Sequence, residues 1–337
     1  MALADLNGDG LLDVIALNEF SATASLFLNA GGGALALPTT WPTGPQPIGA
    51  AVGDLNGDSR PDLVLSNYSG NTFSVLLTSP DAGFLAPMAF STGLGPISVA
   101  LGDLDRDGRL DVAVANWLAD SVSVFGGLDG GQFAPRSTVP VMGSHPYCVV
   151  LSDLDGDGLA DVTTANGVSA NVSVMINQSS WTFQPARLVP TGLTSNWVAA
   201  GDLDDDGLLD LAVANAGTGQ AMASLSVLRN TDAGHFSVSG TYQTGQYLRT
   251  VRIGDVNGDR LPDLVVANHA DGTIGLFANA DGGVFGSQQL IGPVIAGAVH
   301  LELGDLDGDG RLDVVVGTYS PNVSGGEITV LLQRCGP

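Results

Sequence analysis

The nine residues Asp305-Leu306-Asp307-Gly308-Asp309-Gly310-Arg311-Leu312-Asp313 carry carboxylates at positions 1, 3, 5 and 9 and a glycine at position 6. Alternate side chains on so tight a loop converge on one point, where the carboxylates repel one another unless a cation sits among them. A donor set made only of oxygens, with that much charge, suits a hard ion of flexible coordination, Ca²⁺ before Mg²⁺. The main-chain carbonyl of position 7, here Arg311, is expected to add one more oxygen.

The pattern occurs seven times. Asp5, Asn7, Asp9 and Asp13 form the first copy, with Leu11 at position 7, and Asp54, Asn56, Asp58 and Asp62 the second, with Arg60. The third is Asp103, Asp105, Asp107 and Asp111 with Arg109, and the fourth Asp153, Asp155, Asp157 and Asp161 with Leu159. Asp202, Asp204, Asp206 and Asp210 with Leu208 make the fifth, Asp255, Asn257, Asp259 and Asp263 with Leu261 the sixth, and Asp305, Asp307, Asp309 and Asp313 with Arg311 the seventh. Successive leading aspartates stand 49, 49, 50, 49, 53 and 50 residues apart. A near-constant period of this length is the signature of a repeat architecture. The expected cofactor is structural Ca²⁺, up to seven ions.

These loops explain the composition. The chain has 337 residues and a formal charge of −24, and 25 of its 35 acidic residues stand at motif positions 1, 3, 5 and 9. Seven divalent ions would cancel 14 of those charges. An acidic chain of this kind argues against nucleic acid as partner, since binders of nucleic acid carry basic patches. An EF-hand is excluded by position 12, which is Ala16, Leu65, Val114, Thr164, Val213, Val266 or Val316 rather than a bidentate glutamate.

The elements around the loops read as strands. In each repeat an apolar run enters the loop, as in Val99-Ala100-Leu101, and a second leaves it, as in Asp111-Val-Ala-Val-Ala-Asn116. A third run alternates (Ser121-Val-Ser-Val-Phe125), and a more polar fourth follows a glycine turn and an aromatic such as Phe133. No segment has helical periodicity. Four antiparallel strands per roughly 50 residues make the blade of a β-propeller. The expectation is one all-β domain over residues 1–337, a seven-bladed propeller whose acidic loops join the first and second strands and share one face of the disc. The first repeat has almost no inner strand before Asp5, and the last stops after Glu327–Gln333. Either the seventh blade is three-stranded, or the chain is a domain cut from a longer protein; the cut is the favoured expectation.

The loop Gly304-Asp-Leu-Asp-Gly-Asp-Gly310, the following Asp-Val/Leu-x-Val-Ala-Asn, and turns ending at Phe84, Phe133, Phe236 and Phe285 resemble the FG-GAP (VCBS-type) repeats of the integrin α-chain propeller and of many bacterial secreted proteins. The resemblance spans essentially the whole chain. It implies a seven-bladed propeller with Ca²⁺ in the hairpins of the lower face, in a family that also includes fungal sugar-binding lectins and non-catalytic domains of larger enzymes.

Two copies depart from the pattern. Position 6 is Ser59 in the second loop and Arg260 in the sixth, where a left-handed backbone costs about 1–2 kcal/mol relative to glycine. The same two carry proline at position 8, Pro61 and Pro262, which stiffens the loop. Both are expected to bind calcium, but more weakly. Cys148 lies in an apolar strand and reads as an inert buried thiol, with no disulfide to Cys335 expected. Sequons at Asn67, Asn171, Asn177 and Asn322 are compatible with an exported, glycosylated protein. No apolar run is long enough to span a membrane, and no export signal follows Met1.

The opposite face carries amphipathic rings. Tyr68, Trp117, His269 and Tyr319 follow second strands, while His145, Tyr147, Trp197, Tyr247, Arg249 and His300 enter inner strands. Rings with a polar handle on rim loops suit stacking on sugar faces or anchoring a protein loop. No nucleophile motif or phosphate loop is present, and the chain reads as no enzyme. The expected function is a calcium-stabilised, lectin-like module of the extracellular space or cell surface that binds carbohydrate through this face. The alternative is a scaffold or adhesion domain with extracellular protein partners. A polysaccharide lyase or hydrolase would need basic or carboxylate groups free of the metal loops, and no such set stands out in the sequence.

Overall fold

A computed structural model describes residues 1–337 except 81–82, 135–136, 180, 219–221, 320–325 and 334–337. Among the described residues seven antiparallel blade sheets follow one another along the chain, with strands in the order inner, second, third and, in the first six, outer; in blade 3 a two-stranded ribbon, Gly127–Leu128 with Gln132–Phe133, stands between the third and outer strands. Blade 2 is representative, with Pro47–Gly53, Asp62–Asn67, Thr72–Leu76 and Met88–Ser91. Six blades have four strands, and the seventh has three among the described residues: Ala298–Gly304, Asp313–Thr318 and Ile328–Leu331. Its third strand stops at Leu331, as the repeat count implies. The inner strand of blade 1 is only Ala2–Ala4, paired with Asp13–Ile15. No helix among the described residues is long and apolar enough to cross a membrane.

The core is not one mass but seven seams. Buried apolar side chains form seven clusters, one for each pair of neighbouring blades, from Leu6, Ile15, Leu63 and Phe84 between blades 1 and 2 to Val265, Ala298 and Val316 between blades 6 and 7. Because each second strand is covered on both faces, five of the seven are buried along their whole length. The third strands do not show the half-exposed alternation their sequences suggested. Ser121–Phe125 is buried at every residue, because Ser123 and its counterparts are taken up by hydrogen bonds from the neighbouring strand. The ring closes by packing Met1 and Val14 of the first blade on Leu306 and Val315 of the last.

Between blades 2 and 3 the seam is aromatic. Phe73 stacks on Phe90 at 4.9 Å and meets Phe125 and Phe133 edge-on at 4.8 and 5.5 Å. Phe73 is fully buried, so its truncation leaves a cavity in the seam. Phe73→Ala is expected to lower the unfolding free energy by about 3–5 kcal/mol in urea titration, whereas Leu37→Ala, at an almost fully exposed side chain, leaves it within ~0.5 kcal/mol.

Candidate functional site

All seven acidic loops share one hydrogen-bond plan. The leading aspartate accepts the N–H of position 6 at 2.7–2.9 Å, from Gly10, Ser59, Gly108, Gly158, Gly207, Arg260 and Gly310. The aspartate at position 5 accepts the N–H of position 7 at 2.7–3.0 Å, from Leu11, Arg60, Arg109, Leu159, Leu208, Leu261 and Arg311. In the third, fourth and seventh loops carboxylate oxygens from positions 1, 3 and 9 lie within 4.8 Å of one another, and in the fifth loop those from positions 1, 3 and 5. Asn7, Asn56 and Asn257 stand at position 3 of the other three, where an amide oxygen replaces the carboxylate. The donor chemistry fits a hard cation.

Position 9 does more than the sequence reading assigned to it. Its carboxylate opens the second strand and is buried in every copy. One oxygen accepts the N–H of position 2, as from Leu6, Leu55, Leu104, Leu154, Val256 and Leu306. The other accepts an N–H beyond the third strand, or near its end in blade 5, from Asn29, Thr78, Gly127, Asn177, Asn230, Asn279 or Gln333. Burial pushes Asp111 and Asp210 up to about 6 and Asp161 up to about 7; the N–H bonds only partly offset it. Asp13, Asp62, Asp263 and Asp313 are raised for the same reason.

The left-handed seat at position 6 is real, with φ of 65° at Ser59 and 74° at Arg260. Position 4 is a second such seat. Arg106 (φ 64°) and Asp205 (φ 60°) occupy it in the third and fifth loops, where the other five copies have glycine. Arginines also do part of a cation's work. Arg60, Arg109 and Arg229 lie 2.5, 2.5 and 2.9 Å from Asp58, Asp107 and Asp204.

On the opposite face, seven of the ten predicted ring and cationic residues line one cavity of about 1580 Å³ at the central channel: Tyr147, Trp197, Tyr247, Arg249, His269, His300 and Tyr319. Tyr68, Trp117 and His145 do not. They form their own rim cluster, Tyr68 tilted against Trp117 at 6.3 Å and Trp117 edge-on to His145 at 4.7 Å. In the cavity Arg249 sits 5.1 Å from the centre of the Tyr147 ring. Deeper, Arg252 makes a two-pronged pair with Glu302 at 2.7 and 2.8 Å and covers the Trp197 ring at 4.7 Å. His300 Nε2 lies 2.9 Å from Glu302 Oε1, and burial lowers the imidazole to about 4. The sequence reading missed Arg252 and Glu302, so a basic and acidic set free of the metal loops does exist. The signal was available: both stand three residues before a leading aspartate, where blades 2 to 5 have Ala51, Ala100, Val150 and Ala199.

Two of the sequons are closed to modification in the folded protein. Asn67 and Asn177 are buried; Asn67 donates to Thr72 and Ser74, and Asn177 to main-chain carbonyls. Asn171 is half-buried, and Asn322 lies outside the described residues. Cys148 is buried, and burial pushes its thiol up to about 11, as an inert thiol requires; Cys335 lies outside the described residues.

A family model described as the FG-GAP-like repeat matches residues 5–65, 54–114, 153–213, 203–266 and 255–316. The chain belongs to the FG-GAP-like repeat family. Each match spans two successive acidic loops and ends in a second strand. No curated protein matches the chain in sequence. Among solved structures it resembles BBS1N, determined in complex with ARL6DN, with a TM-score of 0.65 and 13% identity over 99% of this chain and 92% of that one. A lectin of Agrocybe aegerita that recognises non-reducing terminal N-acetylglucosamine aligns with a TM-score of 0.60 and 17% identity, over 96% and 90%. A Bacteroides fragilis protein provisionally described as a 6-phosphogluconolactonase gives 0.62 and 19%, over 86% and 83%. At these identities the likeness is one of fold.

The raised carboxyls make stability depend on pH. In the absence of a cation, Asp111, Asp161 and Asp210 keep their protons in the folded chain up to about pH 6 to 7, while in the unfolded chain they lose them near pH 4. Their contribution is full below about pH 4 and is lost as pH rises toward 7. In chelator the Tm is expected to fall between pH 5 and 7.5, and millimolar calcium is expected to raise Tm more at pH 7.5 than at pH 5. Differential scanning fluorimetry at the two pH values, with and without calcium, checks the sign.

Proposed function

We infer that this chain is a calcium-stabilised binding module that takes carbohydrate at the mouth of its central channel, on the face opposite the acidic loops. The observation that carries this reading is the gathering of Tyr147, Trp197, Tyr247, Arg249 and His300 from four different blades into one cavity. Side chains far apart in sequence meet there with flat apolar faces and polar edges, the combination that fits a sugar ring. Its likeness in fold to a fungal lectin supports the reading.

Calcium in this reading is structural. Ligands are the side chains at positions 1, 3, 5 and 9 and the carbonyl of position 7 in each loop. The ions sit at the far side of the disc from the cavity and act on it only by holding the blades. The channel set Arg252, His300 and Glu302 serves the same end: its charges are spent on one another, which holds blades 6 and 7 together. We therefore read the module as non-catalytic, at work outside the cell or on its surface.

One observation favours protein partners as the second reading. Phe20, Leu94, Leu118, Met142, Val168 and Leu193 are exposed, and all stand in turns of the channel face. A likeness in fold to BBS1N, a propeller determined with a protein partner, accords with it.

A glycan array probed with the purified chain in millimolar calcium decides between them. Binding to a group of related sugars is expected, with Trp197→Ala and Arg249→Ala each weakening it about 30-fold and Tyr68→Ala, outside the cavity, changing it less than threefold. Silence of the array with the fold intact would move the assignment to a protein ligand. Ser59, Arg106, Asp205 and Arg260 set a second expectation: the strained loops that carry them bind calcium more weakly in themselves, so the second loop fills at higher calcium than the first and seventh. Ser59→Gly should tighten the second loop about fivefold to thirtyfold; unchanged affinity would remove backbone strain as the cause.

A further inference from the structure

Four asparagines that supply no ligand in this reading join the acidic loops to one another. Asn177 follows the third strand of blade 4. Its main-chain N–H donates to Asp161 Oδ1 of its own loop at 2.7 Å, and its Nδ2 donates at 2.8 Å to the carbonyl of Leu104, position 2 of the preceding loop. The N–H of Leu104 in turn donates to Asp111 Oδ2 at 2.6 Å. The buried carboxylates of the third and fourth loops are thus connected through one side chain and one residue's main chain.

Asn230 repeats the link from the fifth loop to the fourth. It donates to Asp210 at 2.8 Å and to the Leu154 carbonyl at 2.7 Å, while the Leu154 N–H reaches Asp161 at 2.8 Å. Asn279 carries it from the sixth loop to the fifth through Asp263 at 3.0 Å and the Leu203 carbonyl at 2.9 Å, and the Leu203 N–H holds Asp210. Asn29 spans the closure of the ring, from Asp13 at 2.8 Å to the Leu306 carbonyl at 2.7 Å, with the Leu306 N–H on Asp313 at 2.9 Å. All four side chains are buried.

The series breaks at three places among the described residues. Thr78 turns its hydroxyl to Pro61 of its own blade. Gly127 has no side chain, and blade 3 keeps only a main-chain bond from Gly131 to the Leu55 carbonyl at 3.2 Å. Gln333 brings its N–H to Asp313, but its side-chain oxygen has no partner and no bond runs from its amide to the sixth loop.

We propose that Asn29, Asn177, Asn230 and Asn279 couple neighbouring cation sites, so that the third to sixth loops fill as one cooperative unit, the seventh and first as a pair, and the second alone. This rests on the calcium reading above. An ion held by the position-9 carboxylate fixes that side chain in place, and with it the N–H of position 2 that donates to it. That strengthens the position-2 carbonyl as an acceptor for the asparagine amide, since bonds in a chain reinforce one another in a low-dielectric interior. The asparagine, once fixed, presents its own N–H to the next buried carboxylate and so pre-forms the next site. By linkage the effect runs equally in both directions.

The test is hydrogen–deuterium exchange on the full chain across a calcium titration, with peptides that report each loop, and total bound calcium measured alongside. Asp155→Ser disables the fourth loop but leaves Asp161 and Asn177 in place. It should raise the calcium needed to protect the third, fifth and sixth loops about tenfold and leave the first, second and seventh where they were. Asn230→Thr, which copies the residue blade 2 has at Thr78, should split the block into loops three and four and loops five and six. Asn279→Thr, if Asn230→Thr fails to fold, should free the sixth loop alone. An equal shift in all seven loops would mean global stability rather than coupling and would overturn the proposal. So would no shift in the neighbours. A wild-type chain that stays folded yet binds no calcium would fail the calcium reading itself, and total bound calcium distinguishes that outcome from the other two.

Discussion

The acidic face depends on seven carboxylates that are buried without losing the capacity to ionise. Asp13, Asp62, Asp111, Asp161, Asp210, Asp263 and Asp313 sit where charge is expensive, and only directed partners make it tolerable. Each opens a second strand, holds the start of its loop with one oxygen and the end of the third strand with the other. A single side chain therefore fixes the relative position of three strands. Burial raises the pKa of all seven, and the N–H bonds each accepts offset that only in part. A divalent ion among the exposed carboxylates of the same loop, as the proposed function has it, would supply what is missing, and metal and strand framework would then solve one electrostatic problem together.

The far end of each second strand is held by different chemistry. Asn67, Asn116, Asn166 and Asn215 are buried and donate to serines of the third strand. Each leaves no room for a side chain on the glycine that precedes its inner strand: a Cβ on Gly44, Gly93, Gly143 or Gly192 would lie 2.2–2.8 Å from the amide or its neighbouring serine. Blade 7 is the informative exception. It has Thr318 in place of the asparagine and Ile295 in place of the glycine, so the smaller polar group and the larger apolar one change together. Charge at one end and amide at the other leave the strand between them free to be wholly apolar, as the seams require.

The loops, the period and the blade were legible because their signals are local: aspartates at fixed offsets, valine runs of strand length, glycines at the turns. What the sequence hid were distances across the disc. A turn position places Tyr68 and Trp117 on the channel face but says nothing of their radius, and in the structure they pack on each other outside the cavity lining. Arg252 and Glu302 lie 50 residues apart in apolar strands and become visible only when the repeats are stacked and four small residues are seen at the same position. Position 4 of the loop is similar. Glycine in five of seven copies was itself the sign of a left-handed backbone, but the acidic positions beside it drew the eye. Asn67 and Asn177 show the opposite error, since a three-residue pattern cannot encode burial.

The channel is where the seven-fold repeat is least obeyed. Blades 2 and 3 line it with Ile48, Gly49, Ala50, Ile97, Ser98 and Val99, whereas blades 4 to 7 present Tyr147, Trp197, Arg249, Arg252, His300 and Glu302. Nothing in the requirements of a propeller calls for the difference: an inner strand needs only to pair with its second strand and fit the taper, and alanine or valine does both. On the acidic face the same hydrogen bonds recur in all seven loops, as a structural ion would demand of every blade alike. A repeated plan on one face and chemical asymmetry on the other are what a rigid frame with a single recognition site would have, and ions bound on the acidic face would influence such a site only through the rigidity of the strands between them.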